Sequence, residues 1–426
     1  MRYVILGNGV AGITAAETIR KNDPRGEITI IGDETFDPYC RPMISLVLEG
    51  AVRPEKIKIR RSDFYESAAI TPVLGRRIDA IDVERRTVST NGVATVAYDK
   101  LLIATGADPR PIKADGLSLQ NISYMRTEAH VSGMLKGLPG AKKALVLGGG
   151  LVGFKAAYGL MRRGLKVTML IRSGYPLSMQ VDETAGKMIL DELLRHGLDV
   201  RVNVAAEAFD GDERVRAARL SDGSRLDCDL VVIGKGVLPA LDFVPRDRID
   251  VDLGIMVDDH MATSAEGIYA AGDVAEFIDV ARGTRWVNAI WPEAVSQGRM
   301  AGLNMAGRPV SYPGSLSRNV IRIFDLDVMT GGVVNPPPDN QYETLLYQDA
   351  PRGIYRKLVF KNDLLVGLVM VNAIEQGGVL LSTIHNRVPI RIPRRQLIGP
   401  GFNFRKLLWQ RTLPESISYG VCRPQP

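Results

Sequence analysis

Near the N-terminus the pattern of apolar positions changes character twice. "YVILGNGVAG" opens on an unbroken apolar run, Tyr3–Leu6, and then breaks into glycines at Gly7, Gly9 and Gly12. "ITAAETIRK" follows as a helix, and "EITIIGD" is a second apolar run ending at Asp33. A short apolar run closed by turn residues reads as a strand covered on both faces. The stretch therefore predicts strand, glycine loop, helix, strand, the order of a parallel βαβ unit and of an α/β fold. The same pattern recurs in "KALVLGGGLVGFKAAYGLMRRGLKVTMLI", with glycines at Gly148, Gly150 and Gly153. Two further apolar strands end in turns, "YDKLLIATGADPRP" at Ala104-Thr105-Gly106 and "EGIYAAGDVAE" at Gly272-Asp273. Towards the C-terminus, "GIYRKLVFKNDLLVGLVMV" reads as two alternating runs joined by "KND", a β-hairpin.

Glycines spaced GxGxxG between a strand and a helix have separate tasks. The first makes the tight turn, the second lets a pyrophosphate approach the backbone, and the third lets helix and strand pack. The phosphates then lie on the helix N-terminus, beside Val10 and Ala11 in the first loop and Leu151 and Val152 in the second. Asp33, 21 residues after Gly12 and followed by Glu34, can accept hydrogen bonds from an adenosine ribose. Two such units predict two bound dinucleotides.

Composition narrows the classes. A chain of 426 residues that is 45% hydrophobic suggests two to four domains. No apolar run approaches the roughly 20 residues that span a bilayer. The first strand begins at the N-terminus itself, so no signal peptide is expected there, and the cytoplasm is the expected compartment. Cys40, Cys228 and Cys422 show no CxxC spacing and only four histidines are present, which disfavours a zinc, iron–sulfur or other protein-built metal site. The net charge is 54 − 48 = +6, and Asn386–Pro426 alone holds eight bases against Glu415. Two readings of that tail stay open: a solvated terminus, or a basic surface with interleaved aromatics (Phe402, Phe404, Trp409, Tyr419) that docks an acidic partner. No nucleic-acid-binding module accompanies it, so nucleic acid is not an expected partner.

Taken together, these motifs resemble the two-dinucleotide-binding flavoproteins of the pyridine nucleotide-disulfide oxidoreductase superfamily, over roughly Met1–Asn386. "IIGDETFDPYCRPMIS", "AIWPEAVSQGRMAGLNMAG" and "YRKLVFKNDLLVGLVMV" resemble in particular ferredoxin and rubredoxin reductases and NADH-dependent nitrite-reductase-like flavoproteins. Some members of that group are flavin subunits of aldehyde or 2-oxoacid oxidoreductase complexes. The resemblance implies two Rossmann-like three-layer domains, with an NAD(P) domain (113–237) inserted into an FAD domain (1–112 and 238–310). A small α+β C-terminal domain (311–426) carries the basic tail. It also implies FAD contacts from the first glycine loop, Asp33, Glu34, Arg41, Pro42, Ile78, Ala104, Thr105, Gly106, Arg126, Gly272, Asp273, Ile290 and Trp291. The nicotinamide nucleotide would meet the second glycine loop, Ile171, Arg172 and Gly236. The implied function is hydride exchange between NAD(P)H and FAD, with single electrons exchanged with an acidic iron–sulfur protein or subunit.

Three departures from the family pattern bear on mechanism. Disulfide reductases use CxxxxC, but no second cysteine lies near Cys40. Relatives with a single catalytic cysteine would carry it at Pro42, and the histidine of the peroxidases falls on Val10. Cys40 is thus expected to be a bystander. The rival readings are direct reduction of a small disulfide, peroxide or oxygen through Cys40, or a flavin-bearing structural or signalling protein with incidental turnover. Many relatives pair a lysine in this loop with a glutamate two residues past the second fold's last glycine. Those positions are Leu46 and Lys155 here, so Lys155 is expected to stabilise the reduced flavin by charge, unless it turns to solvent. Finally, the second fold's strand ends in Ile171-Arg172 where an NAD site favours an acid. A guanidinium there favours NADPH without excluding NADH, although the position of a second arginine in NADPH-dependent relatives is Ser178.

Overall fold

The computed structural model describes residues 1–91, 93–399 and 401–402. It divides into two compact units, Met1–Ser317 and Arg318–Pro426. In the first unit, strands Ile268–Ala270, Lys100–Ile103, Arg2–Leu6, Glu27–Gly32 and Ile70–Leu74 lie side by side, all parallel. A second parallel sheet takes the order Asp199–Val202, Lys166–Ile171, Lys143–Leu147, Leu230–Ile233, Ile122–Tyr124. The chain crosses to the second sheet after Ile103 and returns for Ile268, and the crossing is a two-stranded ribbon, Ala107–Pro109 against Val237–Pro239. The apolar runs read as two-sided strands are so: Ile5, Leu6, Ile30, Ile31 and Leu101–Ile103 are fully buried.

Helix packing explains one long stretch of small residues. Helix Val10–Asn22 lies against helix Trp291–Met305, and a Cβ on Gly298 would come within 2.3 Å of Ala11 O, one on Gly302 within 2.8 Å of Ala15 O. Glycine four residues apart lets the two backbones touch. This contact seats the N-terminus of Trp291–Met305 beside the first glycine loop.

The second unit is a five-stranded antiparallel sheet in the order Arg318–Ile323, Leu326–Gly332, Leu364–Val371, Ile354–Lys361, Tyr342–Asp349. Strands Ile354–Lys361 and Leu364–Val371 form the expected hairpin. The alternation does not hold: both strands are buried along almost their whole length, including Arg356 and Lys357. They are central in the sheet, and Arg356 donates from its two terminal nitrogens to the carbonyls of Ala373 (2.8 Å) and Gly399 (3.1 Å), while its buried Nε has no hydrogen-bond partner among the described residues. The basic aromatic tail expected to meet a partner lies, from residue 403 on, outside the described residues. Among the described residues no helix is long and apolar enough to cross a membrane.

Candidate functional site

The three glycines of each loop face three different surroundings. Gly7 has φ +115°, and a Cβ there would sit 2.1 Å from Ala104 O. Gly12 has no room either, its Cβ meeting Gly7 O at 2.1 Å. Gly9 meets nothing within 4 Å. The second loop repeats this: Gly148 (φ +116°) would strike Gly234 O at 2.4 Å, Gly153 would strike Gly148 O at 1.9 Å, and Gly150 meets nothing. Gly9 and Gly150 are also helix N-caps without a side-chain cap, so the first-turn N–H groups stay open. An open cradle at an uncapped helix start is what a pyrophosphate needs. The residues present fit two dinucleotides.

A cavity of about 870 Å³ runs from the first loop to the second. Gly7, Gly9, Val10, Ala11, Asp33, Glu34, Arg41, Pro42, Ile78, Ala104, Thr105, Gly106, Arg126, Gly272, Asp273 and Trp291 line it, as do Leu151, Val152, Lys155 and Gly236 from the second fold's side. Other expected residues sit behind the wall. Gly12, Gly148 and Gly153 serve packing, Ile290 is the N-cap residue of the helix that Trp291 begins, and Ile171 is buried under Gly149. Arg172 is exposed at the end of its strand.

Much of the wall is held by polar contacts. Arg41 donates to Glu34 Oε1 at 2.6 Å and to Arg126 O at 2.9 Å. Tyr39 donates to Glu34 Oε2 at 2.7 Å and accepts the Glu128 N–H at 3.1 Å, with the Arg41 guanidinium 5.1 Å from its ring centre. Glu34 is thereby committed to the protein, while its neighbour Asp33 is exposed and lines the cavity. Arg126 donates to Asp273 Oδ2 at 2.9 Å and to Ala107 O, also at 2.9 Å, fixing the Gly272-Asp273 turn to the ribbon between the sheets. Behind that turn, buried Gln297 accepts the Gly272 N–H at 2.8 Å. Sequence reasoning missed Tyr39, His130 and Gln297. Tyr39 and Gln297 act on backbone far away in sequence, at Glu128 and Gly272, while His130 lines the cavity and bonds Thr127 at the start of its own helix.

Lys155 faces the cavity wall half-buried and makes no hydrogen bond or ion pair with a described residue. Burial holds its ammonium below the usual lysine range, opposed only by Cys40. Burial likewise pushes the Cys40 thiol up, against the Met43 N–H and Lys155. Cys40 is absent from the residues that line the cavity. Cys228 belongs to the core of the second fold, where burial raises its pKa to about 12.

The fold and this double cradle define a two-dinucleotide flavoprotein. Residues 1–298 match the pyridine nucleotide-disulphide oxidoreductase family, and the chain belongs to it. FAD and a nicotinamide nucleotide are the cofactors that membership supports. Residues 318–388 match the rubredoxin NAD+ reductase C-terminal domain. The chain is 30% identical over 401 residues to the assimilatory nitrate reductase electron transfer subunit of Bacillus subtilis (strain 168), covering 94% of this chain and 51% of that one. It is also 30% identical over 401 residues to the NADH-dependent phenylglyoxylate dehydrogenase subunit epsilon of Aromatoleum evansii, covering 93% and 94%. It thus spans about half the length of the first relative and nearly all of the second. Among solved structures, NADH:rubredoxin oxidoreductase from Clostridium acetobutylicum superposes with a TM-score of 0.76 at 25% identity, over 92% of this chain and 96% of that one.

Proposed function

We propose that this protein is an FAD-dependent NAD(P)H:acceptor oxidoreductase whose electron partner is an iron–sulfur protein or subunit. The observation that carries the reading is one continuous cavity that reaches from the first glycine loop to Leu151 and Val152, the residues that follow the second, with no cysteine among its lining residues. FAD, when bound, exchanges a hydride with nicotinamide and single electrons with a metal centre. The chain's residues bind and orient. The first loop, Asp33, Arg126 and the Gly272-Asp273 turn hold the flavin nucleotide, and the second loop with Gly236 holds the nicotinamide nucleotide. Lys155 brings an unpaired positive charge to the wall between them and stabilises negative charge developing there.

Supporting the partner class, the relatives include an electron transfer subunit, a dehydrogenase subunit and a rubredoxin oxidoreductase. An acidic partner would complement the basic segment Asn386–Pro426. Two of those relatives are named for NADH. The case for NADPH rests on this chain's own Arg172, which stands where an NAD site favours an acid.

An anaerobic reductive titration that counts electrons per FAD tests the reading. About two electrons means that flavin is the only redox group and that an external partner takes the electrons. About four means that a sulfur group shares the charge, which overturns the proposal in favour of disulfide reduction through Cys40.

A further inference from the structure

Two helices meet behind the cavity, one from each nucleotide fold. Helix Ile44–Glu49 follows Arg41 and Pro42, and these two residues with Ile44 and Ser45 wall the cavity from the first fold's side. Helix Leu151–Arg162 supplies Leu151, Val152 and Lys155 to the wall from its first turns. Farther along, the two helices touch. A Cβ on Gly159 would sit 3.3 Å from Glu49 N and 3.4 Å from Leu48 Cγ, so the contact reaches the backbone. Just past the helix end, Arg163 donates from Nε to Leu48 O at 2.8 Å and from Nη2 to Val47 O at 3.3 Å. Leu48 O lies in the last turn of its helix, where carbonyls run out of N–H partners within the helix. Gly50, at φ +88°, leaves room for the guanidinium: a Cβ there would come within 2.9 Å of Arg163 Cζ. Arg162 adds an ion pair with Glu49 at 3.7 Å. Arg163 itself is absent from the lining of the cavity and stands about 18 Å of helix away from Leu151.

We infer that Arg163 is a positioning residue for hydride transfer: it clamps the helix behind one cavity wall to the helix behind the other. The inference rests on the two folds holding FAD and a nicotinamide nucleotide. The chain joins these folds through the ribbon of Ala107–Pro109 and Val237–Pro239, and a two-stranded ribbon by itself holds its shape weakly. Non-covalent contacts must therefore fix the setting of one fold against the other. A hydride carries both electrons from the reduced nicotinamide to the oxidised flavin, with no further reactant. It passes only when donor and acceptor atoms lie about 3–3.5 Å apart, and a shift of about 1 Å costs on the order of 100-fold. Each atom is carried by a different fold, so a clamp between the folds governs the step without touching either cofactor.

The test is anaerobic stopped-flow reduction of the FAD-loaded protein over a range of NADH and NADPH concentrations. Arg163→Met should lower the limiting rate of flavin reduction about tenfold and leave the half-saturating nucleotide concentration unchanged. Arg163→Lys should keep most of the rate, because an ammonium donates to the same carbonyls. Gly159→Ala keeps the arginine but wedges a methyl group into the contact, and should slow the step as well. A limiting rate that Arg163→Met leaves unchanged overturns the inference, including the case in which only the melting temperature falls. So does a higher half-saturating concentration at an unchanged limiting rate, which would put Arg163 on nucleotide binding. A wild type whose flavin neither nucleotide reduces instead overturns the oxidoreductase reading, and the clamp's role with it.

Discussion

Gly7 and Gly9 stand two residues apart, yet their substitutions should fail in opposite ways. At Gly9 a methyl group meets no atom of the chain, so Gly9→Ala should fold normally and keep its melting temperature. The methyl group occupies the space reserved for the pyrophosphate, and FAD affinity, read by fluorescence titration, should drop at least about tenfold. At Gly7 the backbone has φ +115° and Ala104 O lies 2.1 Å from the added carbon. Gly7→Ala should therefore lower the melting temperature before any cofactor is added. Lys155 makes a third residue-level case. If its ammonium acts on the flavin, Lys155→Ala should lower the midpoint potential, about 30 mV for every ~1.4 kcal/mol of lost charge interaction in a two-electron couple. Spectroelectrochemistry reads that shift, and an unchanged potential would mean that the lysine has no part in tuning.

Elements couple to the site through their ends. Helix Glu128–Gly137 begins with a capping box in which Thr127 Oγ1 accepts the His130 N–H and His130 Nδ1 accepts the Thr127 N–H, both at 3.2 Å. The cap requires a neutral ring. Burial lowers the pKa of His130, with Arg41 acting the same way and Glu34 opposing. As pH falls below about 6.5 the unfolded chain takes up the proton first, so this helix start loses stability until the folded pKa is passed. Denaturant unfolding across that range should show stability falling with acid, and a flatter profile in His130→Gln. The Gly272-Asp273 turn depends on helix Trp291–Met305 in a similar way, through Gln297. Gln297→Ala leaves a buried N–H without its acceptor and should cost about 1–3 kcal/mol in the same measurement. Neither coupling is legible in sequence. A histidine three residues after a threonine resembles any helix start, and Gln297 lies 25 residues from Gly272.

For the whole molecule, the property to test is charge placement, since Asn386–Pro426 holds eight bases against one acid. Ending the chain at residue 402 removes Arg405, Lys406, Arg411 and Arg423 with Glu415, a net loss of 4 − 1 = +3. If an acidic carrier is steered by this segment, the shortened protein should reduce it more slowly at low salt and with a weaker dependence on ionic strength. Reduction of its flavin by the nicotinamide nucleotide should stay unchanged. Stopped-flow traces of the two half-reactions separate these outcomes, and an unaltered salt dependence would remove the tail from the docking account.

The sequence by itself determined both nucleotide folds, because a strand, a glycine loop and a helix are local and the last glycine of each loop packs on the first, although Gly7 and Gly148 also press on Ala104 and Gly234 from distant strands. It also determined that Cys40 has no nearby cysteine partner, and that position 155, two residues past the second loop's last glycine, is a lysine. Only the tertiary structure decided which acid stays open to the cavity: Asp33 remains free while Glu34 is held by Tyr39 and Arg41. It also joined Arg126 to Asp273 across 147 residues. Such pairs form where strands distant in sequence end close together, Arg126 and Asp273 even following strands of different sheets, and that placement is set by the packing of the whole core.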